Sequence, residues 1–416
     1  MTDVGFRFLH AADFHLEQPF SGLTELPESI AALVVEAPFA AALRMFDAAI
    51  RERVEFIILS GDLLDVEQAG AAGVSFLLEQ FERMQSHGIA VYWCGGRSDN
   101  PQEWPAGVNL PAGVQVFPAF KVEELTHFRD EEPIALIVGR SWHRSADISP
   151  LDFPDEGSGV FTVGVGYGTC DPALLTQRRV DYWALGGEHE RRTLGSTQKV
   201  IHYPGTTQSR EPSELGPHGC SLVHVAAEGR SRIQTLNTDA VRWLDETILV
   251  AGELGKGDTP KQLADRVKQL RSENDERLLL VRWKLRGSGK LGSTQRRREL
   301  ATELLGYLRS EFASGKTPVW SVSVDIDAAE TPAAWYEEDS MLGEFLRVSS
   351  RWQQDDVTPD LSAEIPEAFR EHELAEMLAI SETSREQVLA EAVILGSQLL
   401  GGNERTKRSE RTPSRE

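Results

Sequence analysis

The sequence is short of cysteine and short of positive charge. Three cysteines in 416 residues, Cys94, Cys170 and Cys220, are odd in number and far apart. They form neither a disulfide framework nor a CxxC metal pair, so a reducing cytoplasm is the expected home. Lysine and arginine total 43 against 65 aspartates and glutamates, a formal net charge of -22. That balance argues against general affinity for nucleic acid, which rests on neutralising phosphates with basic side chains, and leaves room only for a local basic patch. No apolar run approaches the roughly 20 residues that span a bilayer. The opening MTDVGFRFLH lacks a basic segment leading into an apolar one, so no signal peptide is expected.

What is present is the makeup of a soluble globular protein. The length allows two or three domains. Through the first 240 residues, short apolar runs at 6–9, 56–59, 89–93, 134–138, 161–165 and 182–185 read as strands. Helical stretches at 37–53, with Leu43, Phe46 and Ile50 on one face, and at 74–85 alternate with them. Such alternation predicts βαβ units and an α/β sheet. Residues 222–236 read as a hairpin turning at Glu228-Gly229. From 241 to 329 the pattern is β-α-β-α-β, a small α+β domain. From 330 to 400 it is helical, with amphipathic helices near 341–351 and 385–400 and an acidic, proline-containing linker at 353–365. Residues 401–416 have no apolar content and read as a disordered tail, though Arg405, Lys407, Arg408, Arg411 and Arg415 could touch DNA.

Four residues stand out. Asp13 and His15 lie in HAADFHLEQPF, Asp62 in ILSGDLLD and His189 in YWALGGEHE. Each follows a strand-like run, which puts each on a loop at a strand's C-terminal end. Carboxylates and imidazoles converging there suit Mn, Fe or Zn. The expectation is one divalent metal, manganese first, with iron or zinc as alternatives. His10, His202 and His218 read as packed or hydrogen-bonded, although His202 and Glu188 are conceivable replacement ligands. Trp93, Trp142 and Trp183 read as core.

Asp13-Phe14-His15, then Gly61-Asp62-Leu63-Leu64-Asp65, then the stretch HYPGTTQSREPSELGPHGC at 202–220, in this order, resemble the calcineurin-like metallophosphoesterases. Within them the chain is most similar to the SbcD-type DNA repair exonucleases of the YhaO-like branch. The resemblance implies a four-layer α/β/β/α sandwich, a smaller α+β capping domain and a helical C-terminal extension. It also implies phosphodiester hydrolysis with two metals, DNA ends as substrate and an SbcC-type coiled-coil ATPase as partner. That partner would dock on the C-terminal region, with homodimer contacts from the N-terminal domain and no membrane association.

The departures from the family pattern fall on the second metal. The family's G-N-H-D is here Gly96-Arg97-Ser98-Asp99, so Arg97 replaces a ligand and Ser98 replaces the general acid. Tyr167 stands where a strand should end in histidine. Gly187 replaces the first histidine of G-H-x-H, of which only His189 survives. On this mapping the metal-one set Asp13, His15, Asp62 and His189 is intact, and no catalytic residue is assigned. Arg97 could bind phosphate bidentately in partial compensation. The expected function is a degenerate exonuclease subunit acting as scaffold with the ATPase. The alternative is a working phosphodiesterase using one metal or an unusual second site.

Overall fold

The computed structural model of the chain describes residues 5–100, 104, 107–143, 148–155, 159–195, 199–250, 259–287, 294–326 and 333–354, with 385, 388, 389, 392, 393, 395–397, 399 and 400. The basic tail and most of the linker at 353–365 lie outside the described residues. Two compact units emerge. One holds Met1–Asp245, Gln269–Val281 and Glu311–Val322; the other holds Glu246–Lys268, Arg282–Ser310 and Ser323–Glu416.

The first unit begins β1 (Phe6–Ala11), α1 (Glu28–Glu52), β2 (Phe56–Ser60), α2 (Val66–Ser86), β3 (Ala90–Cys94) and β4 (Val114–Val116). It continues β5 (Glu123–Arg129), β6 (Glu132–Gly139), β7 (Phe161–Tyr167), α3 (Pro172–Leu175), β8 (Tyr182–Gly186), β9 (Arg192–Gly195) and β10 (Val200–Tyr203). The hairpin β11 (Gly219–Val225) and β12 (Ser231–Asn237) closes it. Two six-stranded sheets result, ordered β12-β11-β1-β2-β3-β4 and β5-β6-β7-β8-β10-β9.

Alternation along the strands decides the layering. Phe8, Phe56 and Ile58 of the first sheet meet Val163, Val165 and Tyr182 of the second in a core between the sheets. The opposite side chains of the first sheet, Leu9, Ile57 and Leu59, pack on Met45 and Phe46 of α1 and on Leu77 and Phe81 of α2. The outer face of the second sheet is covered more thinly, by Ile148, Phe153 and Leu175 over Trp183. α1 is the one described helix long and apolar enough to cross a membrane, a reading the sequence had not given. It is a core helix here, with Ala37, Ala41, Ala42, Met45 and Phe46 buried, while Leu43 is 38% exposed and off that face.

The core between the sheets contains a polar layer. His10 on β1 bonds the Tyr182 hydroxyl on β8 (3.1 Å) and Ser60 Oγ (2.7 Å). His202 on β10 bonds Thr193 Oγ1 (2.8 Å) and Ser221 Oγ on β11 (2.7 Å). Both histidines are fully buried and tie one sheet to the other. The three cysteines are free thiols.

Beyond β12 come β13 (Val241–Val250), α4 (Thr259–Glu273), β14 (Leu278–Gly287), α5 (Thr294–Phe312) and β15 (Val319–Ile326), the strands forming a sheet in the order β13-β14-β15. Within the first unit, Trp243, Leu278, Leu280 and Trp320 pack on Ile30, Val34 and Ala37 of α1. In the second unit, α6 (Ala333–Tyr336) precedes α7 (Met341–Gln354). The apolar stripe of α7 is covered internally: Leu342 and Leu346 pack with Val393, flanked by Trp335, Tyr336, Phe345 and Leu400. Met341, Trp352, Leu395 and Leu399 remain exposed.

Candidate metal centre

Parallel pairing of β1 with β2, β2 with β3 and β7 with β8 sends their C-terminal ends the same way. Asp13 and His15 follow β1, Asp62 follows β2, Arg97 and Ser98 follow β3, Tyr167 ends β7, and Gly187 and His189 follow β8. Hydrogen bonds continue past the strands and lace the loops together. The Asp13 amide donates to Gly61 O (2.9 Å), His15 to Asp62 O (3.0 Å) and Leu16 to Leu63 O (3.2 Å). Asp13, His15 and Asp62 all have left-handed φ, at 53°, 42° and 52°. Such backbone costs an L residue roughly 1 kcal/mol or more and clusters where function demands a particular side-chain direction.

The ligand atoms of Asp13, His15 and His189 lie within 4.8 Å of one another. His15 Nε2 is 4.0 Å from Asp13 Oδ1 and 3.9 Å from Asp62 Oδ2. These are not ion pairs: burial, reinforced by nearby Arg210, lowers the His15 pKa to about 4, so the ring is neutral at pH 7. The spacing instead suits atoms arranged around one point, since ligands about 2.1 Å from an ion lie up to about 4 Å apart. Both ring nitrogens of His15 are buried with no hydrogen-bond partner. The Asp13 carboxylate is fully buried, and burial pushes its pKa well above the usual range although the Gly187 amide donates to it (3.0 Å). A buried carboxylate short of a cation beside an orphaned imidazole is what a divalent metal would satisfy.

His189 is prepared for the same point. Its Nδ1 lies 2.8 Å from Glu214 Oε1. Burial opposes ionisation of Glu214, but that bond, the Arg210 amide and the Arg210 charge outweigh it and hold the carboxyl at about 2. An ionised carboxylate can only accept, so Nδ1 carries the proton and Nε2 presents its lone pair. Glu214→Gln should therefore weaken metal binding by about 10- to 100-fold without unfolding the chain. Titration of metal-free protein with manganese would measure it, and unchanged affinity would remove Glu214 from the site.

The positions assigned to a second metal are arranged differently. The Tyr167 hydroxyl donates to Asp62 Oδ2, and the Ser98 amide donates to Oδ1 (2.9 Å). The Tyr167 ring covers Gly61 and Gly187: a Cβ on Gly61 would lie 2.5 Å from Tyr167 Cδ2, and one on Gly187 3.0 Å from Cζ. Burial and the adjacent Asp62 push the phenol pKa up, so it stays a donor. Arg97 is exposed. The replacement ligands weighed from sequence are both engaged elsewhere, His202 through both ring nitrogens and Glu188 with Arg192 (3.3 Å).

The sequence marks Asp99 as the surviving aspartate of the third motif, expected to fix its loop through backbone hydrogen bonds, and the structure bears this out. Asp99 is buried and accepts from the amides of Asp62 (2.9 Å) and Leu63 (3.0 Å) and from Trp93 Nε1 (3.0 Å). Burial and Asp62 nonetheless raise its pKa to about 7. Asp65, last residue of the G-D-x-x-D stretch, caps α2 by accepting from the amides of Glu67 and Gln68, both at 3.0 Å. Arg210 and Glu214 had no assigned role. Both lie in the 202–220 stretch that carried the family resemblance, which marked the loop but gave neither residue a role. Arg210 is 2% exposed and donates from Nη1 to Phe14 O (2.9 Å).

No family model matches the sequence. An uncharacterized metallophosphoesterase, YhaO of Bacillus subtilis, is 31% identical over 376 residues, covering 87% of this chain and 90% of that protein. The chain belongs to the metallophosphoesterases. Among solved structures it is similar to a dimetal phosphatase from Danio rerio (9% identity, TM-score 0.34, covering 55% of this chain and 98% of that one). It is also similar to Vacuolar Protein Sorting 29 from Cryptosporidium parvum (17% identity, TM-score 0.28, 56% and 97%). Likenesses that faint carry no functional weight. Membership implies a divalent metal, and the converging ligand atoms of Asp13, His15 and His189 fit one, while Asp62 lies outside that cluster with its carboxylate oxygens engaged by Tyr167 and the Ser98 amide.

Proposed function

We propose that this metallophosphoesterase is a one-metal, catalytically weakened member of the SbcD-type branch that works as a subunit on DNA ends with a coiled-coil ATPase. The observation that carries the reading is Tyr167. Its phenol bonds Asp62 and its ring covers Gly61 and Gly187, the ground a second cation would need. A metal held by Asp13, His15, Asp62 and His189 would lower the pKa of a bound water and offer charge to a phosphate.

The chain's own groups supply the rest. Asp13 and Asp62 would offer carboxylate oxygens to the ion, Glu214 fixes the His189 tautomer, and Tyr167 holds Asp62 in place. Ser98 cannot protonate a leaving group as histidine does, and that help is worth about 10²–10⁴-fold. The convergence of Asp13, His15 and His189, with Asp62 beside them, favours a second reading, a slow phosphodiesterase in which exposed Arg97 binds the substrate phosphate.

Elemental analysis after manganese loading, together with a nuclease assay, separates the two. The proposal expects a ratio near one and little hydrolysis. A ratio of two abolished by Asp62→Ala, or rapid manganese-dependent cleavage, would overturn it. For the partner, exposed Leu395 and Leu399 are the proposed contact, and the N-terminal domain the homodimer contact. Leu395→Asp with Leu399→Asp should abolish co-purification with the ATPase while leaving melting within about 1 kcal/mol of the parent. Full retention would reject that surface.

A further inference from the structure

The N-terminal ends of β1 and β2, opposite the ligand loops, form one side of an open cleft of about 740 Å³. Its lining includes five arginines and two glutamates, a local excess of positive charge on a chain whose net charge is -22. The sheet register makes this concentration deliberate in form. Arg7 on β1 is directly opposite His224 on β11, and His224 is directly opposite Arg232 on β12. Side chains paired this way stand about 5 Å apart on one face, so Arg7, His224 and Arg232 form one row across three strands.

Two further pairs flank the row, Arg129 with Glu55 (2.7 Å) and Arg230 with Glu228 (3.4 Å). Arg7 reaches Glu52 at 3.6 Å. Arg53 and Arg232 have no ion-pair partner among the described residues, and both are exposed. No metal ligand lies in this region.

We propose that the cleft binds a small anion of several charges built from phosphates, for which inorganic triphosphate is the simplest probe. Guanidinium groups fit phosphate oxygens bidentately and keep their charge at any accessible pH. The volume is that of a small-molecule site. The anion must be compact: a long nucleic acid would run from the cleft onto a surface that repels it, whereas a short oligophosphate lies within the basic patch.

Calorimetric titration of the full chain with inorganic triphosphate, at low salt and with a chelator to remove metal-mediated binding, tests this. One equivalent should bind with a dissociation constant below about 1 mM. The variant carrying Arg53→Gln and Arg232→Gln should keep the parent's melting temperature and lose at least about tenfold in affinity. Asp62→Ala should bind like the parent, which separates this cleft from the metal centre. No binding, equal binding by the double variant, loss in Asp62→Ala, or equal binding of an oligoglutamate of matched charge would each overturn the proposal.

Discussion

Changing Arg97 to Asn, Ser98 to His, Tyr167 to His and Gly187 to His together should raise manganese stoichiometry from about one to about two and create hydrolysis of an aryl phosphodiester. Each change has its own reason. Arg97→Asn removes a cation that repels a metal, Tyr167→His frees Asp62 and supplies an imidazole, and Ser98→His restores a proton donor. Gly187→His is the demanding one. Its φ of 94° disfavours any side chain, and a Cβ there would lie 3.0 Å from Tyr167 Cζ. Alone, with Tyr167 in place, it should destabilise the protein by about 2–4 kcal/mol. With Tyr167 replaced, the contact disappears and only the backbone strain remains. Activity should need all three new ligands, because groups forming one site act non-additively. A folded quadruple variant that binds a single manganese would show that the loops no longer hold the geometry of a two-metal family member.

Acidification should unfold the chain through the histidines between its sheets. Burial, helped by Arg191, lowers His202 to about 3, while an unfolded histidine titrates near 6.5. Between those values the unfolded chain binds more protons, so stability rises with pH and is lost as pH falls below about 6.5. At pH 5 the loss from His202 is about 2 kcal/mol, some 1.5 units at roughly 1.4 kcal/mol each. His10 is also lowered by burial, and by His202, and adds in the same direction. Asp13 and Asp99, raised by burial, act oppositely, gaining relative stability in acid. Urea unfolding at pH 7.5 and pH 5, compared between the parent and His202→Gln, isolates the histidine effect. The variant should show the flatter pH dependence, and identical slopes would show that His202 titrates normally.

Much of this architecture was legible because parallel strands buried on both faces read as unbroken apolar runs. Phe56–Ser60 and Tyr182–Gly186 are such strands, entirely buried. β5 and β9 escaped notice because they are edge strands with only one fully buried side chain between them, so composition did not mark them. At the site, Asp13, His15, Asp62 and His189 were visible as residue types in motif order. Glu214 was not, because its role depends on where the loop after β10 folds back, which no local pattern encodes. The burial of α7's stripe was equally illegible, since it depends on Val393, about 50 residues away.

Asp65 and Asp99 do their work without a metal. One terminates a helix's free amides and the other clasps two loops through N–H groups that would exist whatever the neighbouring side chains were. Half of the acidic letters that mark this family are therefore joinery rather than chemistry. A descendant could surrender every reacting group and still be obliged to keep them, because losing either would loosen the frame. The outline of a phosphoesterase can persist by descent long after hydrolysis has stopped being selected, offering a preformed platform that other proteins can come to depend on.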